Sequence, residues 1–352
     1  MVVDDSAIVR GLITRRLQTE PDIVVAASAS NGEMAVVELK RHPVDVIVLD
    51  IEMPVMDGLT ALPQLLAVQP GVKVLVASTL SRRNAEIGMK ALQAGAADFL
   101  AKPDSLVGAE TFNSELLAKL RAFGTSRAPP LQAPTTPRAP IAAPVLGRAA
   151  PAPEVIAIGG STGAPPVLVS LFEALRGKIS QPILITQHMP PTFTAILAEQ
   201  LARSGERPCA EAVDGEPIEA GRAYVAPGGW HMLATRDGRG KPVIRLTQDE
   251  AENFCRPAVD PMLRSLAAVY GPGVLAMILT GMGADGAKGC EAVAAAGGRF
   301  AVQDEATSVV WGMPGAAART GLAQAVLPLP EIAFYLSRVA AAPSPHAGAT
   351  AR

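Results

Sequence analysis

Two groups of residues in this chain have types and spacings that could do chemistry. The first is Gly159-Gly160-Ser161-Thr162-Gly163, which fits G-x-S-x-G. A serine on such a strand-to-helix turn is open to an approaching carbonyl, and the helix start offers N–H groups to an oxyanion. Such a serine needs a base. The chain holds four histidines, of which His42 falls on a polar helix and His346 lies near the C-terminus. His188, at a strand end beside Ser161, and His231, in APGGWHM, remain, and position favours His188. An acid must then orient the imidazole. Asp285 in LTGMGADGAKG and Asp304 after RFAVQ both follow strand ends, and spacing does not choose between them. Ser161 as a mere helix cap is the plain rival. A dinucleotide loop is a poorer one, because G-x-G-x-x-G and the acidic ribose partner are missing.

The second group is acidic. Asp4 and Asp5 follow the first strand and Asp50 ends the third. In a parallel sheet these ends share one edge, where ligands bind. Three converging carboxylates repel, and a hard cation such as Mg²⁺ would relieve them. Lys102 and Ser78 follow or end neighbouring strands. The set suits phosphoryl acceptance by Asp50, with Lys102 and Ser78 holding phosphoryl oxygens. Helix capping by Asp4 and Asp5 is the alternative, but it leaves the other three residues unexplained.

Elements that could position these groups are legible. In residues 1–124, strands are expected at 24–29, 44–50, 73–79 and 98–101, after a very short first strand. Helices are expected at 6–18, 31–42, 82–95 and 110–123. Ile8, Val9, Leu12, Ile13 and Leu17 are taken as one apolar helical face. Alternating units with continuous apolar strands imply α/β architecture, a doubly wound (βα)5 domain. Residues 154–340 read as a second α/β domain with a mainly parallel sheet. Its strands are expected at 154–159, 182–187, 274–280, 299–303 and 324–327, with helices at 165–175, 192–203, 285–296 and 314–320. Short runs between 207 and 247, broken by VDGEP, APGGW and TRDGRG, suggest inserted β-hairpins.

Residues 125–153 carry eight prolines and no acid, which reads as an extended linker, and 341–352 as an unstructured tail. Across 352 residues, 31 basic and 33 acidic side chains leave a net charge of −2. That argues against non-specific coating of nucleic acid or anionic membrane. Three scattered cysteines outside any CxxC pair fit a reducing cytosol. The acidic start lacks an apolar signal core and no run is long enough to span a bilayer, so a cytoplasmic protein is expected.

Asp4-Asp5, VIVLDIEMPVMDG (46–58) and Lys102-Pro103 together resemble the receiver domain of two-component response regulators. The resemblance implies phosphorylation of Asp50 by a sensor histidine kinase, and Mg²⁺ on Asp5, Asp50 and the Glu52 backbone, with Asp4 close by. It places Phe99 at a switch aromatic. The short first strand is a departure from that pattern. GGSTGAPPVL, ITQHMPPTFT, YVAPGGWHM, RPAVDPM, ILTGMGADGAKG and QDEATSVVWGMP, over about 154–335, resemble the catalytic domain of the chemotaxis protein-glutamate methylesterase family, CheB. That resemblance makes Ser161 the nucleophile, His188 the base and Asp285 the acid. His231 and Asp304 become site-lining or structural candidates, and Thr162 and the backbone at Met282 and Gly283 oxyanion candidates. It implies a cofactor-free hydrolysis of glutamate γ-methyl esters on chemotaxis receptors, with glutaminase activity on the same machinery. A receiver packed over the Ser161 edge, released by phosphorylation, is expected from the two-block layout. A non-catalytic receptor-binding adaptor is the alternative, and a nucleic-acid regulator a weak third.

Overall fold

The computed structural model describes residues 1–79, 81–102, 106–125 and 152–341. The chain divides into two compact units, Met1–Ala128 and Pro129–Arg352. Most of the expected linker, and the expected tail beyond residue 341, lie outside the described residues.

The first unit contains β1 (Val2–Val3), α1 (Ala7–Gln18), β2 (Ser28–Ala29), α2 (Gly32–Arg41), β3 (Val46–Asp50), α3 (Gly58–Val68), β4 (Lys73–Ser78), α4 (Arg82–Gln93), β5 (Asp98–Ala101) and α5 (Leu106–Thr125). The strands form one parallel sheet in the order β2-β1-β3-β4-β5. Side-chain caps set the helix starts. Ser6 accepts from Val9 N, Asn31 from Met34 N and Asp57 from Thr60 N. Residues 58–68 form a helix where the sequence reading places none, despite Pro63 inside it. The second strand is shorter than expected, because only Ser28 and Ala29 find partners on the two-residue β1. The expected apolar face of α1 is also corrected. Ile13 and Leu17 are buried, but Ile8 and Leu12 are 76% and 59% exposed. At about 100° per residue the five positions spread over half the helix, too wide for one contact face.

The second unit contains β6 (Val155–Gly160), α6 (Ala164–Ala174), β7 (Ile183–Gln187), α7 (Pro191–Gly205), β8 (Cys209–Glu211), β9 (Ala223–Val225), β10 (His231–Arg236), β11 (Pro242–Thr247), α8 (Val259–Tyr270), β12 (Val274–Ile278), α9 (Ala287–Ala295), β13 (Arg299–Gln303), α10 (Gly312–Arg319), β14 (Ala325–Leu327) and α11 (Leu329–Ala340). Seven strands form a sheet in the order β14-β13-β12-β6-β7-β9-β8, parallel throughout. Every residue of β6, β7, β12 and β13 is buried, as expected of strands covered on both faces. The 207–247 stretch holds one hairpin, β10–β11. Its β8 and β9 extend the parallel sheet instead, because they pair with each other and with β7. The helices α8 and α11 also form where the sequence reading assigns none. The strand order reverses between β6 and β12, so the crevice for a ligand opens at their carboxyl ends.

Candidate active site and phosphoacceptor site

Ser161 leaves the end of β6, His188 the end of β7, and Asp285 follows β12, so the sheet brings all three to one edge. The register pairs Gly160 with Gln187, and His188 N donates to Gly160 O at 3.2 Å. The backbone around Ser161 is tied on both sides. Its N–H donates to Thr280 O at 3.1 Å, and its carbonyl accepts from Ala164 N and Gln187 Nε2 at 3.0 and 2.9 Å. Among the described residues the Ser161 hydroxyl has no hydrogen-bond partner.

His188 is joined to Asp285, Nε2 to Oδ2 at 2.8 Å. Asp285 is buried and accepts four further bonds. Val259 N reaches Oδ2 at 2.6 Å; Asn253 Nδ2, Asp260 N and Gly286 N reach Oδ1 at 3.0, 3.0 and 2.9 Å. Two of these donors are the first amides of α8, whose N-terminal dipole favours an anion. Burial opposes ionisation of Asp285, but the His188 hydrogen bond and charge, with the backbone donors, hold its pKa below the usual carboxylate value. Beside it, buried Asp260 accepts from Asn253 Nδ2, Gly286 N and Gly289 N. Its pKa is raised, mainly by burial. Burial also disfavours a charged His188, yet Asp285, through its hydrogen bond and charge, draws a proton to the ring, whose pKa is raised to about 10.

The other histidine is placed elsewhere. His231 Nδ1 accepts from Ala258 N at 3.2 Å and Nε2 meets Glu250 O at 3.1 Å, so both ring nitrogens tie β10 to the loop before α8. Asp304 holds its own turn by accepting from Thr307 N and Oγ1. Thr162 is buried and its carbonyl accepts from Thr280 Oγ1 at 3.0 Å. Neither Met282 N nor Gly283 N has a protein acceptor among the described residues. The sequence reading missed Asn253, Cys255, Asp260 and Gln187. Asp260 stands inside RPAVDPM, a segment already noted, but nothing in local spacing says that it would lie beside Asp285.

In the first unit, Asp4, Asp5 and Asp50 place one carboxylate oxygen each within 4.8 Å of the others. Asp4 and Asp50 are buried and Asp5 is exposed. Lys102 Nζ bridges Asp4 Oδ2 and Asp50 Oδ1, at 2.8 Å each. Burial raises the Asp50 pKa, against the pull of Lys102. Burial also opposes charge on Lys102, but Asp4 and Asp50 keep its pKa above the usual lysine value. Ser78 is buried at the end of β4, and its carbonyl accepts from Lys102 N at 2.8 Å. Glu52, exposed, follows Asp50 by two residues, and Phe99 is buried on β5. The three-carboxylate donor set is all hard oxygen and suits Mg²⁺.

These two sites, on two α/β units, define a receiver-linked hydrolase. The CheB methylesterase family model matches residues 156–336 and the response regulator receiver model matches 1–108. The chain belongs to the CheB methylesterase family. It is 53% identical to a protein-glutamate methylesterase/protein-glutamine glutaminase of Rhodospirillum centenum, over 97% of this chain and 93% of the relative. It is 52% identical to one from Azospirillum brasilense, over 97% and 92%. The solved catalytic domain of Thermotoga maritima CheB methylesterase is 38% identical, with a TM-score of 0.52, covering 53% of this chain and 99% of that one. Among the described residues no helix is long and apolar enough to cross a membrane.

Proposed function

We propose that this chain hydrolyses glutamate γ-methyl esters on methyl-accepting chemotaxis receptors in the cytoplasm, and deamidates glutamines with the same machinery. The observation that supports the reading is that β6, β7 and β12 bring Ser161, His188 and Asp285 to one sheet edge, with the His188–Asp285 bond at 2.8 Å. Ser161 attacks the γ-carbonyl as His188 takes its proton. Asp285, fixed by five donors, stabilises the imidazolium. N–H groups at Thr162, Met282 and Gly283 are the candidate oxyanion donors. His188 gives the proton to the leaving methoxy oxygen, releasing methanol, or to the leaving amide nitrogen, releasing ammonia. Water then attacks the acyl-enzyme carbonyl as His188 takes its proton, and His188 returns that proton to Ser161 Oγ as the glutamate leaves.

The receiver site regulates this reaction. Asp50 accepts a phosphoryl group from a sensor histidine kinase, and Lys102 and Ser78 hold its oxygens. Asp4, Asp5, Asp50 and the Glu52 backbone would hold Mg²⁺, which supplies neutralisation of the developing charge. In this reading the unphosphorylated receiver shields the Ser161 edge, and phosphorylation favours an open form. The deciding measurement is methanol release from methylated receptor membranes by Ser161→Ala. Release at the wild-type rate removes Ser161 as nucleophile, whereas no release above background by the wild-type chain revives the adaptor reading.

A further inference from the structure

His188 has two ring nitrogens, and the structure gives each a partner. Nε2 faces Asp285 at 2.8 Å, and Nδ1 faces Cys255 Sγ at 3.4 Å. An ionised carboxylate only accepts, so Nε2 carries a proton. In the neutral ring the one lone pair able to receive a proton is therefore on Nδ1. That is the nitrogen which the Cys255 thiol reaches, while the Ser161 hydroxyl has no partner among the described residues.

The thiol is held there by the same framework that holds Asp285. Cys255 closes a tight turn, donating its N–H to Glu252 O at 2.9 Å. Asn253 and Phe254 of that turn have φ of 53° and 62°, in the left-handed region. Asn253 Nδ2 bridges Asp260 and Asp285 at 3.0 Å each. Arg264 of α8 pairs with Glu252 at the base of the turn. Strained positions of this kind persist when the surroundings over-determine them. The turn thus fixes the acid through Asn253 and meets the base through the next residue but one.

We propose that Cys255 is a positioning residue for His188: its thiol hydrogen-bonds Nδ1 in the resting site and must yield that nitrogen to Ser161 Oγ for turnover. The inference deepens the hydrolase reading and rests on His188 being its base. Charged or titratable groups around the ring are Cys255 of the turn, Asp285 of the β12–α9 loop, and behind it Asp260 and Arg264 of α8. A thiol that donates to Nδ1 stabilises the neutral ring, so removing it frees Nδ1 and makes the ring more basic.

The test is ¹⁵N-histidine NMR of the full chain, with His188 assigned by loss of its signals in His188→Gln. Wild type is expected to show a neutral ring protonated on Nε2. In Cys255→Ala the titration midpoint is expected to rise by about one unit. The alkaline rise of kcat/KM on an ester substrate moves to higher pH in step, with KM little changed. Cys255→Ser, which keeps a donor, gives a smaller shift and covers the case in which the alanine variant does not fold. A neutral ring protonated on Nδ1, or midpoints in both variants equal to or below that of wild type, overturns the proposal. The NMR readout needs no substrate, so it holds even if receptor esters prove not to be hydrolysed.

Discussion

Asp285→Asn keeps the side chain's shape and removes its charge. In the native site Oδ1 accepts from three donors and Oδ2 from Val259 N and His188 Nε2. An amide has one acceptor oxygen, so its NH₂ must face donors. With the oxygen kept on the three-donor side, the NH₂ meets Val259 N–H and His188. The ring can then satisfy the amide only by accepting at Nε2, which moves its proton to Nδ1 and leaves no lone pair for Ser161. Bonds to a charged partner contribute about 1.5–3 kcal/mol each, so losing two costs about 3–6 kcal/mol, shared between folding and the transition state. A transition-state share of about 2–4 kcal/mol lowers kcat by roughly 30- to 1,000-fold. A folding share of about 1–2 kcal/mol lowers Tm by roughly 2–8 °C for a domain of this size.

The pH dependence of that Tm loss has a definite sign. His188 has a raised pKa, so its contribution is complete below its unfolded value of about 6.5 and is lost as pH rises through about 10. Asp285 has a lowered pKa, so its contribution is present above about pH 3.9 and is lost as pH falls through its lower folded value. The Tm difference between wild type and Asp285→Asn is therefore widest between about pH 4 and 6.5 and narrows toward pH 10. Methanol release and thermal melts across this range are the assays. A kcat within about threefold of wild type, or a Tm difference flat with pH, refutes the reasoning.

Other consequences can be checked separately. In the proposed receiver chemistry Mg²⁺ would compete with protons for Asp50, whose pKa is raised by burial. Calorimetry should show tighter Mg²⁺ binding as pH rises above the carboxylate range, and Asp50→Asn should abolish both that trend and phosphorylation. A Cβ at Gly281 would lie 2.4 Å from Met313 Sδ and 2.9 Å from Ser161 Cβ. Gly281→Ala should cost about 1–3 kcal/mol in denaturant melts and lower kcat by displacing the nucleophile turn. Phe254 is fully exposed with φ 62°, so Phe254→Gly should raise stability by about 0.5–1 kcal/mol. A loss of stability there would mean that the ring packs against something in solution.

What the sequence made legible follows from how locally each feature is determined. Strands such as 46–50 and 299–303 are short apolar runs bounded by turn residues, and Ser161, His188 and Asp50 sit directly at strand ends, so local reading places them. The helix at 58–68 was hidden because Pro63 argues against it locally, while its Asp57 cap and buried face argue for it only in context. The short runs 209–211 and 223–225 look like hairpin strands until β7 is seen to supply their parallel partner. Spacing left Asp285 and Asp304 equal; three-dimensional donors separate them, because α8 amides converge on Asp285 and none on Asp304. Asn253 and Cys255 were invisible, since their relation to the site depends on a left-handed turn lying near the start of a helix.

The chain order Ser, His, Asp is a consequence of this topology. His188 leaves β7, Asp285 follows β12, and β6, which carries Ser161, lies between those strands. The base–acid bond must therefore arch over the end of the nucleophile's own strand. Something has to support the acid there, and the start of α8 does so through the Val259 and Asp260 amides. That helix can come so close only because β6 ends in glycine: a Cβ at Gly159 would stand 2.6 Å from Val259 Cγ1. The glycine before the nucleophile turn is thus also the clearance that lets the acid reach the base. The same proximity brings the turn before α8, and with it Cys255, against the ring. In this fold the supports of the acid and of the base lie on one continuous segment, 252–260, so substitutions at Asn253 or Cys255 should move the His188 titration and the ester kinetics together.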